Sequence, residues 1–217
     1  MPLVKSPLDM NTTSDHKSTH QAPAAGETTL SPAPSVPLAD PGSLGLAAFA
    51  LTTFVLSVAN AGLIESSAAV FGLALFYGGI AQLIAGIWEF VNRNTFGATA
   101  FCSYGAFWLA FWYLETTGGA AEAGSEGVGV FLLAWTIFTF YMTIAARKTN
   151  GSIFAVFVAL SITFLFLALG ALTGVSTLHQ IGGWFGILTA LLAWYGSFAV
   201  VYNSTAKRAA LPVWPSK

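Results

Sequence analysis

The chain has 217 residues, of which 55% are hydrophobic, 14% aromatic and only 8% charged, with eight Lys and Arg against nine Asp and Glu. So little charge cannot cover the surface of a water-soluble domain, and a net charge of −1 leaves no basic patch for nucleic acid. Six apolar stretches, each about 20 residues long, instead fit the thickness of a bilayer.

Residues 1–39 are rich in Ser, Thr, Pro and Ala and carry no periodic apolar pattern. Such a segment cannot bury enough surface to offset its ordering entropy, so a disordered cytoplasmic tail is expected. The first apolar stretch contains Ala59-Asn60-Ala61, a small-x-small pattern of the kind cleaved in secretory signals. Its long polar leader and the length of the run point instead to a retained helix. The expected spans are 44–63, 67–91, 96–114, 128–146, 152–173 and 181–202, all helical because a lipid-exposed segment must satisfy its backbone internally. Asp40-Pro41 has the form of a helix start, with Asp as a cap and Pro in the first turn, and Asn94-Thr95 and Asn150-Gly151-Ser152 open the third and fifth spans in the same way. Trp88, Tyr113, Trp184 and Tyr202 fall at span edges, the usual place of amphipathic rings at the headgroups.

The cations are one-sided. Lys5 and Lys17 precede the first span, Arg93 follows the second, Arg147 and Lys148 the fourth, and Lys207, Arg208 and Lys217 the sixth. The other connections hold Glu65, Glu115, Glu122, Glu126 and His179. Retention of Lys and Arg in the cytoplasm therefore places both termini inside. The expected fold is an all-α membrane protein, a six-transmembrane-helix bundle over 40–205 with a short cytoplasmic tail over 206–217.

Within the spans, polar groups gather on faces. In the second, Gly72, Gly79 and Gly86 recur every seven residues, with Gln82 and Glu89 one step around the helix. In the first, Phe49, Thr53, Ser57 and Asn60 share a face; Phe101, Tyr104 and Trp108 do so in the third, and Thr136, Thr139 and Thr143 in the fourth. Each set could simply pack and bridge helices, but four such faces in one bundle favour a lined pathway, with Thr53, Asn60, Gln82 and Glu89 as its polar lining. No Lys or Arg lies in a span, and Glu89 is the only carboxylate there, with Arg93 one turn on as a helical partner. A passing anion would meet no fixed cation and a metal ion no carboxylate ring, so the solute is small and travels as a neutral species. Cys102 reads as a small buried hydrophobe. Three His, one Cys and one intramembrane Glu give neither metal spacing nor a nucleophile with its base, so no enzyme, cofactor or metal is expected.

Asp40-Pro41-Gly42-Ser43-Leu44-Gly45-Leu46, with Asp40, Pro41, Leu44, Gly45 and Leu46 as its key positions, resembles the N-P-x-P-L-G-L motif of the acetate uptake transporter family. That family comprises the YaaH-type succinate–acetate transporters of bacteria and their fungal acetate and ammonia-export relatives. Phe76-Tyr77-Gly78-Gly79-Ile80-Ala81-Gln82, Trp88-Glu89 and Ser103-Tyr104-Gly105-Ala106-Phe107-Trp108 are similar to its second and third helices. Asp40 stands for the motif's Asn and Ser43 for its second Pro. The resemblance implies a multi-pass plasma-membrane protein, a homo-hexamer whose protomers each carry a pore. It further implies transport of acetate, related short carboxylates and succinate, linked to protons. It also implies an apolar constriction at Phe49, Tyr104 and Leu160. The residues themselves equally allow a channel for small neutral solutes such as urea or ammonia, or an acetate sensor that transports nothing.

Overall fold

The computed structural model describes residues 38–216. Nearly all of the polar leader, with its sequon at Asn11, lies outside them. The described residues form α1 (Gly42–Asn60), α2 (Val70–Leu75), a π-helical turn (Phe76–Ala81), α3 (Gln82–Val91), α4 (Thr95–Thr116), α5 (Gly119–Ala146), α6 (Gly151–Thr173) and α7 (Ser176–Ala206), with no strand longer than a single bridge.

The expected spans are all found as helices, with some ends displaced. α5 begins nine residues before the expected start of the fourth span, bending at Gly124 (φ 65°, ψ 178°), a conformation open to glycine and strained for other residues. α7 likewise extends five residues earlier and four later than its apolar run. Among the described residues, five segments are long and apolar enough to cross a membrane: Gly42–Asn60, Val70–Val91, Gly119–Ala146, Gly151–Thr173 and Ser176–Ala206. α4 is the exception, its hydropathy diluted by Trp, Tyr, Ser and Thr, although its 22 residues reach about 33 Å.

Helix starts obey local chemistry. The Asn94 side chain accepts a hydrogen bond from the Gly97 N–H (3.1 Å), and Asn150 accepts from Ile153 (2.9 Å), so both cap as their residue type dictates. Asp40 Oδ1 takes the Gly42 N–H at 2.8 Å, while Pro41 occupies the cap position itself.

Glycine sets the helix approaches around the second span. A Cβ on Gly79 would stand 2.6 Å from the Ala74 carbonyl and from Leu109 of α4, one on Gly86 would meet Cys102, and one on Gly78 would meet Thr52 of α1. The π turn lies where both neighbours press in. Its extra residue rotates the downstream helix face by about 100° relative to an unbroken α-helix, and Gln82 is the first residue after it.

Candidate functional site

A cavity of about 410 Å³ opens at the end of the bundle where α1, α4 and α6 begin and α3 ends. Its mouth is made by Asp40, Gly42, Asn94, Thr149 and Asn150. The same connections that carry Arg93, Arg147 and Lys148 thus surround it, but no Lys or Arg among the described residues contributes to its wall.

Three helices run inward from the mouth, and each contributes residues to a definite depth. The lining stops at Phe49 on α1, Tyr104 on α4 and Leu160 on α6, although all three helices continue for at least ten residues more. On the antiparallel second span the deepest lining residue is Gln82. The floor is therefore Phe49, Tyr104, Leu160 and Gln82, all nearly inaccessible. The Phe49 and Tyr104 rings are 5.7 Å apart. Tyr104 is further enclosed by Trp135, Phe138, Phe157 and Phe164 at centroid distances of 5.4–6.5 Å, and its hydroxyl shares a 2.8 Å hydrogen bond with Thr139. Ring packing on every side and an anchored hydroxyl hold it in one orientation.

The polar lining is sparse. Glu89 is 2% exposed, and its Oε2 accepts from the Asn94 Nδ2 at 3.0 Å. Asn94 takes the partner role that helical spacing gives Arg93, which instead sits exposed past the helix end in a left-handed conformation (φ 59°). Gln82 is 1% exposed, and neither its amide oxygen nor its nitrogen has a hydrogen-bond partner among the described residues. An unpaired buried amide is destabilising by about 1–3 kcal/mol per group, so this side chain is a ready donor and acceptor for whatever fills the cavity. Thr53 Oγ1 and Trp108 Nε1 are also buried and unpaired. They lie one turn beyond Phe49 and Tyr104 on two helices running the same way, a polar layer past the floor.

The other sequence-derived positions separate. Leu46 lines the cavity beside Asp40, whereas Gly45 seats the Phe101 ring and Leu44 is exposed on the outside of α1. Pro41 starts the helix and stays out of the cavity wall. Asn60 lies at the far end of α1, where its Oδ1 is 3.2 Å from His179 Nε2 of α7. Ser57 packs on Gly186, and Thr139 and Thr143 bind Tyr104 and Ser161, so these hydroxyls bridge helices. Asn94, Thr149 and Asn150 are the polar lining residues that the patterning of polar faces leaves out. The only local signal, at Asn94 and Asn150, is helix capping, which does not reveal that three connections converge on one mouth.

Comparison with known proteins places this architecture. Over 180 residues the chain is 43% identical to ammonia transport outward protein 2 of Saccharomyces cerevisiae, a match covering 78% of this chain and 64% of that protein, so it spans just under two thirds of that relative's length. It is 35% identical over 182 residues to the succinate-acetate/proton symporter SatP of Escherichia coli, covering 82% of this chain and 97% of that one. The solved structure of the bacterial acetate channel SatP superposes with a TM-score of 0.78 at 35% identity, covering 82% of this chain and 99% of the channel. The sequence profile of the GPR1/FUN34/yaaH family matches residues 24–216, and the chain belongs to that family.

Proposed function

We propose that this protein carries acetate and related short carboxylic acids, succinate among them, across the plasma membrane, linked to protons, through a pathway inside each protomer. The carrying observation is the cavity whose lining ends on three parallel helices at Phe49, Tyr104 and Leu160. An aromatic and aliphatic floor penalises a hydrated ion, because stripping its water is expensive where no fixed charge replaces it. The undissociated acid has one donor and one acceptor, which Gln82 matches, and Thr53 and Trp108 offer the next polar groups beyond the floor. Phe49, Tyr104 and Leu160 act as the constriction, and Gln82 and Glu89 as the polar lining of the inner vestibule. Asp40 and Leu46 form its threshold, and Thr53 lies on the outer half of the path with Asn60 at its far end.

In this reading there are six spans, α4 being the third, with both termini and the cavity mouth on the cytoplasmic side and six protomers assembled together. The N-terminal tail and the residues after α7 are then cytoplasmic. The similarity to a protein named for acetate conduction and to one named for succinate-acetate/proton symport supports the substrate class. Labelled acetate uptake into proteoliposomes, with and without an inward-directed proton gradient, tests it. Uptake above protein-free vesicles that rises with the gradient is expected. Equal uptake of urea or ammonia with none of acetate would favour a neutral-solute channel, and binding without uptake a sensor.

A further inference from the structure

The residues after α7 do not leave the bundle. Lys207 reverses the chain in a left-handed turn (φ 53°), and Asn203 then clasps the returning segment: its Oδ1 accepts from the Ala210 and Leu211 N–H groups at 2.9 and 2.8 Å, and its Nδ2 donates to the Leu211 carbonyl at 2.9 Å. Tyr195 Oη donates to the Pro212 carbonyl at 2.6 Å, and its ring stacks on Trp214 at 5.9 Å. The segment ends against the start of α6. Gly151 N–H donates to the Trp214 carbonyl (2.7 Å), Ser152 N–H to Val213 (3.3 Å), and Ser216 N–H to Thr149 (3.1 Å). The first N–H groups of a helix have no partner within it. Here carbonyls from the far end of the sequence supply two of those partners.

Thr149 and Asn150, the residues held in this way, are also one wall of the cavity mouth, with Ile153 one turn further in. We propose that residues 208–216 form a strap that positions the Thr149–Asn150 wall, so that strap docking sets access to the cavity and capture of the incoming acid. The capture half rests on the proposed transport of acids; the access half does not. The strap is held by backbone groups, by the Tyr195 and Ser216 hydroxyls and by two further side-chain anchors, Asn203 and Trp214, neither of which lines the cavity. Loosening either anchor should therefore change the mouth and leave the floor intact.

The test uses the full chain with Cys102→Ala and Ile153→Cys, so that a soluble thiol reagent reads entry into the cavity. Adding Asn203→Ala, or separately Trp214→Ala, is expected to raise the labelling rate about fivefold, a modest coupling between linked elements. It should also speed amide exchange at Gly151 and Ser152 while Phe154, bonded to the Asn150 carbonyl, stays protected. In the Cys102 parent, the same anchor substitutions should raise the KM for acetate with little change in maximal rate, and Trp214→Tyr should restore it by keeping a ring for Tyr195. Labelling that is unchanged in both folded anchor variants overturns the proposal. So does faster labelling with an unaltered KM in a parent that transports acetate. If the parent takes up no acetate, the transport reading fails, and labelling and exchange still decide the strap.

Discussion

Leu160 is the position where side-chain volume and selectivity should separate most cleanly. It is buried at the inner limit of the cavity, which Phe49 and Tyr104 also line, so Leu160→Ala enlarges the floor without touching a hydrogen bond. The substitution should let lactate compete better against acetate while reducing stability by about 2–5 kcal/mol. Competition assays beside a thermal melt check this, and an unchanged preference in folded protein would assign Leu160 to packing alone. Glu89 makes the complementary case. Its hydrogen bond is with a neutral amide, and Gln in its place still offers an oxygen to Asn94 Nδ2. Glu89→Gln should therefore keep an uptake that tracks the proton gradient, the proton travelling with the undissociated acid. A variant that folds and transports but ignores the gradient would make Glu89 the proton carrier. Both residues could be singled out from the sequence, Glu89 because an intramembrane carboxylate is costly and Leu160 through family resemblance. The Asn94 partner could not, because it lies past the helix end, where i,i+4 spacing no longer applies.

At the scale of the helix, the seven-residue glycine stripe turns out to be unequal. Gly79 has backbone and Leu109 within 3 Å of its missing Cβ, and Gly86 has the Cys102 backbone at 2.6 Å, but Gly72 has nothing within 4 Å. Gly72→Ala should therefore be neutral, whereas Gly79→Ala must push α4 away or unwind the π turn that aims Gln82 at the cavity. The expected result is a lower melting temperature and a loss of acetate uptake for Gly79→Ala, with Gly72→Ala matching the parent in both. A Gly79→Ala protein with parental melting and uptake would show that the turn can relax at no cost. Periodicity marked the stripe because i and i+7 share a face. It could not show which glycine is crowded, since that depends on the neighbouring helix, nor that the span contains a π turn, which changes the phase of everything after it. Helix starts were more legible: Asn94 and Asn150 cap within their own next three residues, a contact that sequence spacing contains.

For the whole molecule, one-sided charge and the geometry of the bundle agree on which connections share an end. Asp40, Asn94, Thr149 and Asn150 meet around the mouth, while Asn60 and His179 meet at the opposite end of the bundle, an arrangement that six helices of alternating direction produce. Charge could assign ends because it acts through the number of crossings alone. The strap could not be read in this way, being built from backbone groups some 60 residues apart in sequence. α4 is the weak step in the count, since its composition dilutes the apolar signal that marks the other five. The Asn203-Ser204-Thr205 sequon is a poor reporter of sidedness, because the Asn203 amide already makes three hydrogen bonds and would resist glycosylation on either side. Exposed loop positions serve better. In a Cys102→Ala background, a membrane-impermeant thiol reagent applied to intact cells should label Thr117→Cys, between α4 and α5, and should spare Arg93→Cys and Lys148→Cys until the cells are opened. Labelling of Thr117→Cys and Arg93→Cys under the same condition would mean that α4 does not cross and the protein has five spans. Labelling of both Arg93→Cys and Lys148→Cys but not of Thr117→Cys on intact cells would invert the orientation and put the cavity mouth outside.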